Sequence, residues 1–224
     1  AAQLDIVGFN YKVGRYQQAY DVLPQRLILG SETASTVSSR GVYHFPVVKE
    51  REWEDIVKLD KQCTSYDMVC TPWSNLPDLD FAVVEDYPWA IGHFVWTGFD
   101  YLGEPTPYGD DSWPNHSSMF GCVDLASIPK DRFYLYRSVW NRAEPTLHIL
   151  PHWNWSGYEG KEVPVFVYTS WPEAELFING VSQGRKRKKM TPPAEGQQNE
   201  SHESRYRLMW HDALYEPGEI RVVA

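Results

Sequence analysis

The sequence predicts an α/β region of parallel strands, followed from about residue 144 by a small all-β antiparallel sandwich. Three observations carry that reading. Over the first 140 residues, short apolar runs alternate with helical patterns, the texture of strands joined by crossover helices. Beyond Glu144 the texture changes to short strands broken by Pro and Gly turns. Within that second part Asn179-Gly180 separates two strand-like runs, and this dipeptide suits a two-residue hairpin turn because both positions need positive φ.

The elements follow in order. Leu4 to Phe9 reads as a buried strand. Tyr16, Ala19, Tyr20 and Leu23 share one helical face, and Pro24 closes that helix before the next apolar run, Arg26 to Gly30. Together these make one βαβ unit. The stretch from Thr33 to Pro77, broken by Gly41, Pro46, Pro72 and Pro77, is too long for an ordinary connection and predicts a functional loop region with some helix. A helix around Leu79 to Tyr87, another buried strand at Ile91 to Thr97, a Gly-, Pro- and Asp-rich loop and a helix near Arg132 to Asn141 complete the first part. The second part begins with Val163 to Ser170, a strand whose Val163, Val165, Val167 and Thr169 fall on one side and which reads as half-buried. Ala174 to Ile178 and Val181 to Arg185 form the hairpin, and Tyr206 to Trp210 and Glu219 to Val223 supply further strands.

Composition narrows the function. A chain of 224 residues with 42% hydrophobic content and 10 Trp, 14 Tyr and 9 Phe can bury a large core, so disorder is not the default. A net charge of −9 argues against sequence-independent nucleic-acid binding, which needs Lys and Arg to neutralise phosphates. The basic run Arg185 to Lys189 reads as a solvated strand end or loop. Cys63, Cys70 and Cys122 show neither metal-ligand pairing nor a disulfide framework. No apolar stretch reaches membrane-spanning length, and Ala1 to Asp5 lacks the regions of a signal peptide. The chain starts almost directly in one apolar run and stops in another, Glu219 to Ala224, which predicts a segment of a longer protein, with any leader upstream.

In a parallel α/β barrel the working groups sit at the carboxyl ends of strands. Tyr11 follows the first strand, Glu32 the second, and Trp96 closes the third. A carboxylate, a phenol and an indole on one face suit a sugar site, because the ring packs on C–H bonds while the carboxylate attacks carbon. Each residue also has a plainer reading. Glu32 fits a helix N-terminal carboxylate, Trp96 a core aromatic, and Tyr11 a buried phenol bonded to backbone.

The run Arg26-Leu-Ile-Leu-Gly-Ser-Glu32-Thr-Ala-Ser35 resembles the nucleophile strand of glycoside hydrolase family 2, which holds β-galactosidases, β-glucuronidases and β-mannosidases. Asp5 to Tyr11 resembles the preceding strand, and Phe94-Val-Trp96-Thr-Gly-Phe-Asp100-Tyr-Leu-Gly-Glu-Pro105 the last barrel strand with its loop. Ala174-Glu-Leu-Phe-Ile-Asn-Gly180 is similar to the immunoglobulin-like domains that follow the barrel. The resemblance implies that residues 1–144 are the C-terminal portion of a (β/α)8 TIM barrel, strands six to eight, and residues 145–224 a truncated immunoglobulin-like β-sandwich.

The same resemblance implies a retaining β-glycosidase, nearest in wording to the β-galactosidases, acting on terminal β-linked sugars of an oligosaccharide or glycoside by double displacement. Glu32 would be the nucleophile, Tyr11 its hydrogen-bond partner, Trp96 the floor of the sugar site, and Asp100 either a sugar-hydroxyl ligand or a loop cap. The acid/base Glu of this family follows an Asn at the end of barrel strand four, upstream of Ala1; Asn199-Glu200 reads as loop. The family's best-known bacterial β-galactosidase has His at the position of Ser35, where it serves metal-dependent members, and the departure speaks against a catalytic Mg²⁺. His44, His93 and His116 lack metal-site spacing, and no cofactor is implied. A periplasmic or secreted bacterial location and open strand edges that allow homo-oligomers complete the expectations. Two readings stand beside the enzyme: a carbohydrate-binding protein that kept the barrel surface without catalysis, and a hydrolase using Ser31 or Ser35 with a His, for which no Gly-x-Ser-x-Gly elbow is present.

Overall fold

The computed structural model describes residues 3–47, 62–106, 116–190 and 202–224. Its first sheet is parallel throughout, in the order β1 (Val7–Asn10), β2 (Ile28–Thr33), β3 (Ala90–Val95). Between β1 and β2 a 3-10 turn, Val13–Arg15, leads into α1 (Tyr16–Val22), which lays Tyr16 and Ala19 on Ile28 of the sheet. This is the helical face expected for that segment. Between β2 and β3 lies α2 (Pro77–Asp86). Pro77 opens it where a missing N–H costs nothing, and Asp78, paired with a buried arginine further along the chain, lies in its first turn. After β3 comes α3 (Asp131–Trp140).

The second part holds two three-stranded antiparallel sheets. One orders β4 (Leu147–Leu150), β5 (Val165–Thr169) and β8 (Arg207–Trp210); the other orders β7 (Val181–Arg187), β6 (Glu173–Ile178) and β9 (Ile220–Val223). Val165, Val167, Leu176, Ile178, Leu208, Trp210 and Val222 from both sheets share one core. The β6–β7 turn has the expected geometry, with Asn179 at φ 49° and Gly180 at φ 80°.

Several expectations change. Neither Leu4 to Phe9 nor Ile91 to Thr97 is a buried strand: β1 and β3 are the outer strands of the described sheet, only Val7 of the one and Ala90 of the other are buried, and Leu4, Ile6, Ile91 and Phe94 are exposed. Val163 to Ser170 is not half-buried: every residue of β5 is buried, because Phe166 and Tyr168 on its other face pack against Phe81 of α2 and Leu135 and Tyr136 of α3. A strand buried on both sides reads as a continuous apolar run, which is what Val-Phe-Val-Tyr is. Tyr206 ends a single helical turn, α4 (Glu203–Tyr206), and the strand starts at Arg207. The stretch Thr33 to Pro77 contains no helix among its described residues ahead of α2; it folds back on itself instead, with Val37 N–H to Val69 O at 3.2 Å, Ser39 N–H to Cys63 O at 2.8 Å and Thr71 N–H to Ser35 O at 2.9 Å. Asn199-Glu200 lies outside the described residues. No helix among the described residues is long and apolar enough to cross a membrane.

Candidate active site

The carboxyl ends of β1, β2 and β3 bring Tyr11, Glu32 and Trp96 to one end of the parallel sheet. The backbone does part of this directly. The β1–β2 register skips a residue between Phe9 and Asn10, so that Phe9 pairs with Gly30 but Asn10 with Glu32. Tyr11 N–H then bonds Glu32 O at 2.9 Å, and Trp96 N–H bonds Thr33 O at 2.8 Å. Tyr11 at φ 56° and Ala34 at φ 49° turn the chain sharply at the two strand ends. A left-handed residue without glycine costs roughly 1 to 2 kcal/mol, so both conformations are held by their surroundings.

Tyr11 OH donates to Glu32 Oε2 at 2.8 Å, both residues being half-buried. Burial, reinforced by the adjacent Glu32 carboxylate, raises the Tyr11 phenol well above its ordinary range. The hydroxyl therefore keeps its proton at neutral pH and stays a donor to Glu32. Beside them Ser31 Oγ donates to Asn10 Oδ1 at 2.8 Å, a polar contact open to solvent.

Beneath the strand ends His93 is neutral. Thr33 Oγ1 donates to the Phe94 carbonyl at 3.1 Å, so its contact of 2.9 Å with His93 Nδ1 must be an N–H donated by the ring. Nε2 is left as a buried acceptor without a protein partner, and burial pushes the ring down to about 4. The ring is half-buried and packs edge-on against Phe81 and Trp140. His44 and His116 lie in loop segments. Among the described residues no group of three or more His, Cys, Asp or Glu is placed to hold a metal ion.

Trp96 is half-buried, edge-on to Tyr101 with centroids 6.0 Å apart, above a small core of Val37, Cys63, Val69 and Phe120. Asp100 lies apart from the Tyr11–Glu32 pair in its bonding. It is 7% exposed; its Oδ1 accepts Gly121 N–H at 2.7 Å and Lys130 Nζ at 2.8 Å, and its Oδ2 meets the same ammonium at 2.7 Å. These contacts match the loop-cap alternative.

Lys130 escaped the sequence reading. Its ammonium, 1% exposed, also donates to Ser38 O at 2.7 Å and Met119 O at 3.4 Å, so it fastens the loop after β2 to the loop after β3. One signal was available: Lys130 caps the N-terminus of α3, where a cation opposes the helix dipole and needs another reason to be there. A groove of about 430 Å³ lies elsewhere, between the end of α3 and the end of β5, lined by Ser138, Asn141, Arg142, Glu144, Ser170 and Trp171 among others.

Comparison with known proteins gives the chain's relatives. Residues 160–224 match a family described as a domain of unknown function (DUF4982). The chain is 37% identical to β-galactosidase BoGH2A of Bacteroides ovatus over 99% of its own length and 24% of that protein. It is 33% identical to a putative β-glucuronidase of Formosa agariphila over 70% of this chain and 15% of that one. Among solved structures it superposes on a β-glycosidase from Bacteroides vulgatus with a TM-score of 0.75 at 29% identity, covering 98% of this chain and 29% of that chain. A glycosyl hydrolase family 2 member from Bacteroides cellulosilyticus gives 0.65 at 25% identity, with 99% and 26% covered. The chain thus spans between 15% and 29% of the length of these relatives.

Proposed function

The chain is a homologue of the family 2 glycoside hydrolases, and from that premise we propose that it carries the nucleophile side of a retaining β-galactosidase site. The observation that carries the proposal is the 2.8 Å hydrogen bond from Tyr11 to Glu32 across the ends of adjacent parallel strands. In this reading residues 1–144 belong to a (β/α)8 barrel and residues 145–224 to an immunoglobulin-like sandwich. The parallel β1–β2–β3 sheet and the two facing antiparallel sheets support both halves.

Glu32 attacks the anomeric carbon while a second carboxylic acid, outside this chain, protonates the departing oxygen. A glycosyl ester forms on Glu32 as the glycosidic bond breaks. Water, deprotonated by the same second carboxylate, then displaces Glu32 and restores the starting configuration. The two carboxyls of such a pair stand about 5 to 5.5 Å apart. Tyr11 donates to the attacking carboxylate, fixes its orientation and holds the proton that Glu32 must not take up. Trp96 offers its face to the sugar's C–H bonds. Asp100 we assign to the loop architecture through Lys130, not to the sugar.

The galactoside preference rests on the relative named as a β-galactosidase, which matches 99% of the chain; the β-glucuronidase named from Formosa agariphila matches less of it and makes glucuronides the second reading. The test is to incubate the full-length protein with a 2-deoxy-2-fluoro-β-galactosyl inactivator and map the labelled peptide. A label on Glu32 supports nucleophile and sugar together. A label obtained only with the glucuronyl analogue moves the substrate; a label on another carboxylate removes Glu32 from its role; no label with any β-glycosyl analogue favours a carbohydrate-binding protein. A periplasmic or secreted location belongs to the same proposal, and cell fractionation decides it.

A further inference from the structure

The antiparallel part reaches the parallel part through two arginines that flank Tyr206, and both grip α2. Arg205 pairs with Asp86 at 2.7 and 2.9 Å and with Glu85 at 3.1 Å. Arg207 makes a bidentate pair with Asp78, Nε to Oδ1 at 2.9 Å and Nη2 to Oδ2 at 2.5 Å. The two pairs differ in depth. Glu85 is half exposed, whereas Arg207 and Asp67 beside it are fully buried.

Arg207 does more than close an ion pair. Its Nη1 donates to the carbonyls of Tyr66 at 3.1 Å and Asp67 at 3.2 Å, pinning the returning arm of the folded-back loop. The Asp67 carboxylate in turn holds Arg132, from Nε at 2.8 Å and Nη2 at 2.6 Å, and Arg132 Nη1 donates to Phe120 O at 2.5 Å. Phe120 O is also the acceptor of Thr97 N–H, at 3.2 Å, on the residue after Trp96. From the same loop Val69 O accepts Val37 N–H and Thr71 N–H donates to Ser35 O, the segment just after Glu32. A fully buried guanidinium thus holds a loop that reaches the backbone behind Trp96 through Asp67 and Arg132, and the segment after Glu32 through backbone hydrogen bonds. Buried charges of this kind have few alternative arrangements, so the geometry they hold is narrow.

We propose that the region matched as a domain of unknown function is a working part of the glycosidase site, with Arg207 as a positioning residue that acts through Asp67 and Arg132 on the backbone behind Trp96 and Glu32. This rests on the glycosidase reading above. The sandwich then serves catalysis without touching the sugar.

The experiment uses the full-length protein. Arg207→Met alone would strand Asp78, so it is paired with Asp78→Leu, which replaces the ion pair by apolar groups and keeps the fold. Arg205→Met is the control, since it loosens the docking without touching the loop. The double variant is expected to lose on the order of 10- to 100-fold in kcat/KM, mostly through KM as the Trp96 floor shifts. Backbone amides of Val37, Thr71 and Thr97 should lose hydrogen-exchange protection while those of Val167 and Leu208 keep theirs. Arg205→Met should leave kcat/KM unchanged. Wild-type kcat/KM with unchanged protection at the three amides would overturn the proposal, and so would equal losses in both variants, which would point to docking alone. Should the wild-type protein hydrolyse no β-glycoside, the functional reading falls by itself, and the amides alone then decide whether Arg207 holds these loops.

Discussion

At the residue scale the site depends on one proton staying in place. Tyr11 is held above its ordinary range by burial first and Glu32 second, so it donates to the carboxylate throughout the neutral range. Tyr11→Phe removes that donor and keeps the ring. The expected result is a fall in kcat on the order of 10- to 100-fold with a smaller change in KM, read from steady-state hydrolysis of an aryl β-galactoside by the full-length protein. Unchanged kcat would mean that the hydrogen bond is only architectural. Gly121 sets a second residue-scale limit. A Cβ there would collide with the backbone of Phe99, Asp100 and Val123, so nothing flexible can yield. Gly121→Ala should destabilise by roughly 3 kcal/mol or more, measured by urea unfolding, because the loop carrying Asp100 must move off Lys130.

At the scale of elements, α2 and β3 carry two buried groups whose titrations pull in opposite directions. Asp80 on α2 is raised to about 8 by burial, with Asn75 bonding against the shift and Asp78 adding to it. Its folded value lies above its unfolded one, so its contribution is complete below about pH 4 and is lost as pH rises towards 8. His93 on β3 is depressed to about 4 by burial, so its contribution is complete above about pH 6.5 and is lost as pH falls towards 4. The two offset each other between about pH 4 and 6.5, and above that only the Asp80 loss continues. Asp80→Asn should therefore raise Tm relative to wild type at pH 8 and not at pH 4.5. A Tm difference that is flat across this range would place the titration elsewhere. Much of this architecture was legible in the chain. The strand ends at Tyr11, Glu32 and Trp96 followed from apolar runs with a polar or aromatic residue at the close, and the Asn179-Gly180 turn from its need for positive φ. Other features have no local signature. The second buried face of β5 exists because α2 and α3 cover it, and the Arg207–Asp78 pair joins residues 129 apart in sequence. A short run such as Leu147–Leu150 gains its strand identity from pairing with β5, not from its own four residues.

At the scale of the whole molecule, the 224 residues taken alone are expected to be incomplete as an enzyme and unsettled as a solution species. Glu32 is the single carboxylate within the residues of β1, β2 and β3, whereas double displacement needs two. Among the described residues the sheet also ends on both sides in an unpaired strand. Its outer strand β3 exposes Phe94 at 64%, and the loop beyond exposes Phe99 at 59% and Leu102 at 65%, a grouping of large apolar side chains that water does not favour. Purified by itself, the chain should turn over no β-galactoside and should run above the mass of a monomer by light scattering coupled to gel filtration. Adding charge at the outer strand by Phe94→Lys should move it towards the monomer without creating activity. Turnover by the chain alone at a rate sensitive to Glu32→Gln would mean that the second carboxyl lies within these 224 residues. A clean monomer at high concentration would mean that the apolar edge is covered by the chain's own segments.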